Sequence, residues 1–174
     1  CGTSCTTRAR TAWSTSATVV FRVRVPLLPA SASISVAPNS TVYGQGVTLS
    51  SHITTTSGSG VPTGDVTFSE GGTIYGSAPV DTSGNASITS TTIPVDAHSI
   101  VATYSGDDEY NGAASSPGSL NVAKSDVTVV ATSSDTTTVS GETVNFGVSV
   151  AAQAPGSGMP NGTVQLVIDG NTVG

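Results

Sequence analysis

His98-Ser99-Ile100-Val101-Ala102-Thr103-Tyr104-Ser105-Gly106-Asp107-Asp108-Glu109-Tyr110-Asn111-Gly112 is the run that decides the fold. Ile100, Ala102 and Tyr104 alternate with polar or outward positions, which places them on one face of a strand, and an acidic turn containing Gly106 stops it. The run is a piece of architecture: it holds no set of groups that would cleave or transfer a bond.

Working outward from it, short strands and turn signals follow one another. Ile34 and Val36 open the first strand, and Pro38-Asn39-Ser40 breaks it. Tyr43-Gly44-Gln45-Gly46 leads into a second strand with Val47, Leu49 and Ile53 on one face, followed by a Ser/Gly loop over 56–60 and the turn Pro62-Thr63-Gly64. Val66 and Phe68 point inward from a third, and Glu70-Gly71-Gly72 turns the chain. Ile74, Gly76, Ala78 and Val80 share a parity, Ser83-Gly84-Asn85 turns again, Ala86 and Ile88 follow, and Pro94 ends an uneven continuation. Leu120 and Val122, beyond the 98–104 strand, close the set. Seven alternating strands separated by Gly, Pro and Asn turns, with no helical period anywhere, predict an all-β, two-sheet antiparallel sandwich over 32–123.

Composition agrees with an ordered β-protein. Charged residues are 9% of the 174-residue chain against roughly 25% in an average soluble domain, and Ser, Thr and Gly stand in their place. Apolar residues fall in alternation, which separates this polar chain from a disordered one. Four of the five basic residues, Arg8, Arg10, Arg22 and Arg24, precede residue 31, and all eleven acids follow it. So acidic a body repels phosphate backbones and lacks a basic stripe, which excludes nucleic acid as the expected partner. No apolar run reaches the length of a membrane span. The chain opens without Met or an apolar leader, and reads as an internal piece of a longer protein.

Residues 1–31 read as an N-terminal fragment and linker. Cys1-to-Ala12 is polar and loop-like; Cys1 and Cys5 suit a short disulfide or two free thiols, since no second Cys pair or nearby His completes a metal set. Ala17 to Pro26 alternates Phe21, Val23 and Val25 with Arg22 and Arg24, the pattern of a strand left from a preceding module or of a basic edge strand. Trp13 could stack on a sugar or cover a core edge. Leu27 to Ser33 reads as linker.

Three ordered blocks carry a family likeness. Val42-Tyr43-Gly44-Gln45-Gly46-Val47-Thr48-Leu49, Val61-Pro62-Thr63-Gly64-Asp65-Val66-Thr67-Phe68, and Ala102-Thr103-Tyr104-Ser105-Gly106-Asp107 with Tyr110 resemble the bacterial Ig-like repeats found in tandem in large surface and secreted proteins. The likeness departs at Val101, on the outward parity of its strand, and at Ser90 to Val95. It implies an immunoglobulin-like sandwich at the cell surface or in the secreted fraction, serving as a stalk or adhesive repeat, with no catalysis. Its partners would be neighbouring Ig-like repeats of the same longer chain, with a carbohydrate or a surface protein as the alternative ligand of its loops. An accessory domain of a secreted hydrolase is the third reading. The structural positions are Tyr43, Gly44, Pro62, Gly64, Phe68, Tyr104, Gly106, Asp107 and Tyr110. Independently of the family, Gly44 and Gly64 stand where the chain turns into a strand and positive φ is often required. Pro62 fixes the approach to the third strand, Tyr104 has a hydroxyl that reaches for a backbone carbonyl near a strand end, and Asp107 suits the bonding of turn amides.

The plan then starts again. Gly141-Glu142-Thr143-Val144-Asn145-Phe146 stands 97 positions after Gly44-Gln45-Gly46-Val47-Thr48-Leu49, and Pro160-Asn161-Gly162-Thr163-Val164-Gln165-Leu166 stands 98 after Pro62 to Phe68. Residues 124–174 are therefore expected to be a partial Ig-like repeat lacking its last strands. Val127 and Val129 would form its first strand, Val144, Phe146, Val148 and Val150 the second, and Val164, Leu166 and Ile168 the third, before the turn Asp169-Gly170-Asn171. Its open edge and apolar face predict weaker hydrogen-exchange protection than in 32–123.

Chemistry-bearing residues are few. His52 and His98 both lie in strand patterns, and no strand-to-helix nucleophile turn accompanies the many Ser and Thr, so no enzyme is expected. Asp107, Asp108 and Glu109 are the candidate oxygen ligands for Ca²⁺, with Asp65 or Asp126 contributing; the spacing is not that of an EF-hand, and adjacent acids in a turn are ordinarily just solvated. Lys124, at the junction between repeats, reads as a spacer residue rather than the amine of a crosslink. No other cofactor is expected.

Overall fold

The computed structural model describes residues 6–9, 17–20, 26–58 and 60–173, and the regular elements among them are all strands. β1 (Thr6–Ala9) and β2 (Ala17–Val20) pair antiparallel. The opening segment expected as loop thus contains a strand. Cys1, Cys5, Trp13 and the Phe21/Val23/Val25 alternation lie outside the described residues.

From residue 30 the chain runs through β3 (Ala30–Ala37), β4 (Ser40–Val42), β5 (Val47–Thr55), β6 (Asp65–Glu70) and β7 (Thr73–Pro79). It continues through β8 (Asn85–Ser90), β9 (Asp96–Tyr104), β10 (Ala113–Ala114) and β11 (Gly118–Ala123). One sheet has the order β3-β5-β8; the facing sheet has β4-β11-β9-β6-β7, with β10 also paired to β9. All these pairs are antiparallel except β4 with β11, which is parallel. This is the immunoglobulin-like sandwich that the alternation implies.

The core lies between the sheets because inward parities meet there. Val47, Leu49 and Ile53 of β5 face Val66 and Phe68 of β6, Ile100, Ala102 and Tyr104 of β9, and Leu120 and Val122 of β11; all are buried. Removing such side chains from water supplies about 25 cal/mol per Å² of apolar surface. Ile93 is also buried, so the uneven segment after β8 sends one side chain into the core. Val101 is half-buried opposite Ser69.

Three local readings are corrected. Pro38 ends pairing in the first sheet, having no N–H to give, but Ser40 at once begins β4 in the other sheet, bonded through Tyr43 N–H to the Ala123 carbonyl over 2.9 Å. Residues 30–33, expected as linker, form the start of β3, and Leu28 is fastened just before it: its N–H donates to the Glu109 carbonyl (2.7 Å), and Asn111 N–H donates to its carbonyl (2.9 Å). Ile74, expected to share the parity of Gly76, Ala78 and Val80, is 67% exposed whereas those three are half-buried. A register shift between Phe68 and Ser69 inverts the parity of β7 there, and Tyr75 turns inward in its place.

The remaining residues form two hairpins, β12 (Val127–Ser133) with β13 (Phe146–Ala152) and β14 (Leu166–Ile168) with β15 (Asn171–Val173). Val144 and Val164, expected within strands, precede β13 and β14. Asp169 and Gly170, at φ 50° and 81°, make the two-residue turn of the second hairpin, in which both central residues are left-handed.

Candidate functional site

Three places on the molecule gather polar groups. The first is the turn after β9. Asp107 Oδ2 accepts from the N–H (2.7 Å) and hydroxyl (2.9 Å) of Thr63, and Oδ1 accepts from the N–H groups of Glu109 (2.8 Å) and Tyr110 (2.7 Å). Partial burial opposes its charge, but these donors outweigh that and hold its carboxyl well below the usual carboxylate range. One side chain thus ties its own turn to the loop before β6. Tyr104 and Tyr110 complete the fastening: their hydroxyls donate to the carbonyls of Thr63 (2.6 Å) and Gly60 (3.0 Å). Burial and the neighbouring Asp107 charge push the Tyr104 phenol up to about 12.

Around this clamp, Gly64 and Gly106 stand at φ 95° and 79°, and a Cβ on Gly64 would lie 2.7 Å from the Gly106 carbonyl. The two turns touch backbone to backbone, an approach only glycine permits. Pro62 and Phe68 are buried. With both Asp107 oxygens already accepting two bonds each, Asp108 and Glu109 are the exposed carboxylates of the turn. Among the described residues no group of three or more His, Cys, Asp or Glu gathers as a metal site would require.

The second place is the opposite end of the same sheet. His98, its side chain 7% exposed, projects Nδ1 toward Glu70 Oε2 at 2.7 Å and Nε2 toward the Pro94 carbonyl at 2.9 Å. Both neighbours are acceptors, so both ring nitrogens donate only in the imidazolium form. Tyr75 donates its hydroxyl to Glu70 Oε2 (2.9 Å), and Ser99 N–H donates to Glu70 Oε1. Burial works against charge on His98, but the Pro94 carbonyl, Glu70 and Asp96 outweigh it and raise the imidazole pKa. Burial likewise opposes charge on Glu70, and the Ser99, His98 and Tyr75 donors overcome it and lower the carboxyl. Burial and Glu70 push the Tyr75 phenol up to about 12. With both nitrogens engaged, His98 has none left to take a proton from a nucleophile. His52 sits apart, bonded through Nδ1 to Asn85 Oδ1 (2.9 Å). Periodicity alone does not join Glu70, Tyr75 and His98; the signal available was the Gly71-Gly72 turn, which folds β7 back along β6 beside β9.

The third place is the junction with the second hairpin pair. Tyr43 is 38% exposed, and Gly44 stands at φ 87°. Ser157 donates its N–H to the Tyr43 carbonyl (3.2 Å) and its hydroxyl to the Gly44 carbonyl (3.1 Å). A Cβ on Gly44 would collide with Ser157, and one on Gly158 would lie 3.2 Å from the Tyr43 ring. Lys124, Pro94 and Val95 border the same groove.

The sheet orders and the turn clamp define an immunoglobulin-like module in which polar chemistry fastens turns. A match to the family described as bacterial Ig-like domain (group 3) covers residues 34–123, just over half of the chain, and the protein belongs to that family. Comparison with curated proteins gave no match. Membership makes the chain a structural or binding module of a kind that is generally non-catalytic.

Proposed function

We propose that this chain is a non-catalytic, extracellular spacer in a bacterial cell-surface or secreted protein, its partners being neighbouring Ig-like repeats of the same longer chain. The parallel pairing of β4 with β11 carries the reading. Ser40, Thr41 and Val42, which follow β3 at the module's entry, lie beside Asn121, Val122 and Ala123 of β11, the strand by which the module is left, in the same direction. Tension pulling the module by its two ends loads these strands in shear, so their bonds must break together rather than one after another. Charge is spent on fixing turns, as at Asp107 and Glu70, which suits a part that must hold its shape.

Single-molecule pulling of the full chain tests this. The expected record is one discrete unfolding step releasing a length of about 90 residues, the extent of the matched module; a smooth extension without a step overturns the reading. Reproducible capture by the full chain on a glycan array, or of a host surface protein, would favour adhesin-type recognition through the loops instead.

A further inference from the structure

Two turns of the chain share one geometry. In Val42-Tyr43-Gly44-Gln45, Gln45 N–H donates to the Val42 carbonyl over 3.1 Å and Gly44 has φ 87°; in Val139-Ser140-Gly141-Glu142, Glu142 N–H donates to the Val139 carbonyl over 3.1 Å and Gly141 has φ 95°. Positive φ at the third residue is what a type II turn demands. The first turn is occupied, since Ser157 donates to the carbonyls of its two central residues and leaves no room for a Cβ on Gly44. The second is open: apart from Gly141 and its two chain neighbours, no heavy atom lies within 4 Å of the position a Cβ on Gly141 would take.

The occupant of the first turn belongs to Gly156-Ser157-Gly158-Met159-Pro160. The same order, Gly-Ser-Gly-apolar-Pro, recurs in the sequence at Gly58-Ser59-Gly60-Val61-Pro62, 98 positions earlier. In sequence, therefore, each repeat carries both motifs of the contact: a turn with glycine in third place, and a Gly-Ser-Gly run before an apolar residue and Pro.

We propose that the Val139–Glu142 turn is a docking socket for the Gly-Ser-Gly loop of a further Ig-like module, so that successive modules stack by repeating the Ser157 contact. The proposal rests on the spacer reading and adds the partner and the register. Ser140 stands where the first turn has Tyr43, which removes the ring beside Gly158 but keeps both backbone acceptors. Recognition by backbone leaves the surrounding side chains free to vary from module to module. Two such bonds bind weakly between separate chains, in the millimolar range; between linked modules, the effective concentration supplied by a short linker keeps the socket filled.

The test uses a second copy of this chain as the probe. In ¹⁵N-labelled full chain, raising the concentration to the millimolar range is expected to shift the amides of Ser140, Gly141 and Glu142 together with those of Gly58 and Gly60. Gly141→Asn is expected to abolish the shifts at both ends, because Asn tolerates positive φ but its side chain fills the socket. A wild-type map that leaves out either end overturns the proposal, and so do shifts that persist in Gly141→Asn. If pulling gives a discrete step while these shifts are absent, the spacer reading stands and the socket alone falls.

Discussion

β5 and β13 carry the same alternation of apolar residues. Val47, Leu49, Ser51 and Ile53 correspond, 97 positions on, to Val144, Phe146, Val148 and Val150, yet Leu49 is 0% exposed and Phe146 is 47%. The difference lies in what faces them. β5 has β6, β9 and β11 across the sandwich, whereas β13 pairs with β12 in a two-stranded sheet. Alternation is a property of one strand; a core is a property of two sheets, and only the second removes apolar surface from water.

The most severe way to test that contrast is to truncate equivalent side chains. Phe68→Ala, at a fully buried position, is expected to cost about 3–5 kcal/mol in urea unfolding of the full chain. Leu166→Ala, at the matching position of the second unit, is expected to cost under about 1 kcal/mol. Equal losses would mean that the second unit buries a core of its own.

The clamp comes next. Asp107→Asn removes a carboxylate that holds four donors, and a loss of about 1–3 kcal/mol at neutral pH is expected. Because the folded-state pKa lies below the ordinary Asp value of 3.8, this stabilisation is present above that value and disappears as pH falls through the folded one. Wild-type and variant stabilities should therefore converge in acid; a gap that stays constant with pH would remove the charge from the explanation.

His98 gives the opposite slope. Its raised pKa means that its contribution is complete below the ordinary imidazole value of 6.5 and is lost as pH rises through the folded value. Stability of the wild type should fall over that alkaline limb, and His98→Gln should flatten it. The titration of the His98 ring followed by NMR supplies the midpoint, and a midpoint below 6.5 would contradict the ion pair.

The smallest effect sharpens the comparison from the other side. Ser51 is buried with its Oγ unpartnered, on the inward face where the second unit carries Val148. Ser51→Ala is expected to raise stability by about 1 kcal/mol, since it removes an unsatisfied hydroxyl from the core. A loss measured in the same urea series would mean that Oγ has a partner.

Legibility in the sequence followed the range of the interaction. The inward residues of β5, β6, β9 and β11 were readable because each parity is set within one strand, and the sandwich follows from their number and spacing. β4 and β10 are three and two residues long, exist through pairing with distant strands, and leave no period to detect. Ile74 does not keep the parity expected with Gly76, Ala78 and Val80, because the shift at Phe68/Ser69 changes parity without changing composition. Within the polar sites, Asp107 was readable as a turn-forming residue from its place just after a strand. Its tie to Thr63, 44 positions away, and the meeting of Glu70 with His98, 28 apart, are products of strand order. The Ser157–Gly44 contact spans 113 positions, and only the recurrence of both motifs hints at it.

The β4–β11 pair has one more consequence. The folded sandwich is about as tall as its longest strands, nine residues each for β5 and β9, which is roughly 30 Å. Once the pair gives way, the 34–123 segment can pay out roughly 300 Å of slack while the covalent thread stays whole. In the proposed spacer, such a module is a coil of spare rope kept by one short knot, and its length lets an overload be absorbed without breaking the covalent chain.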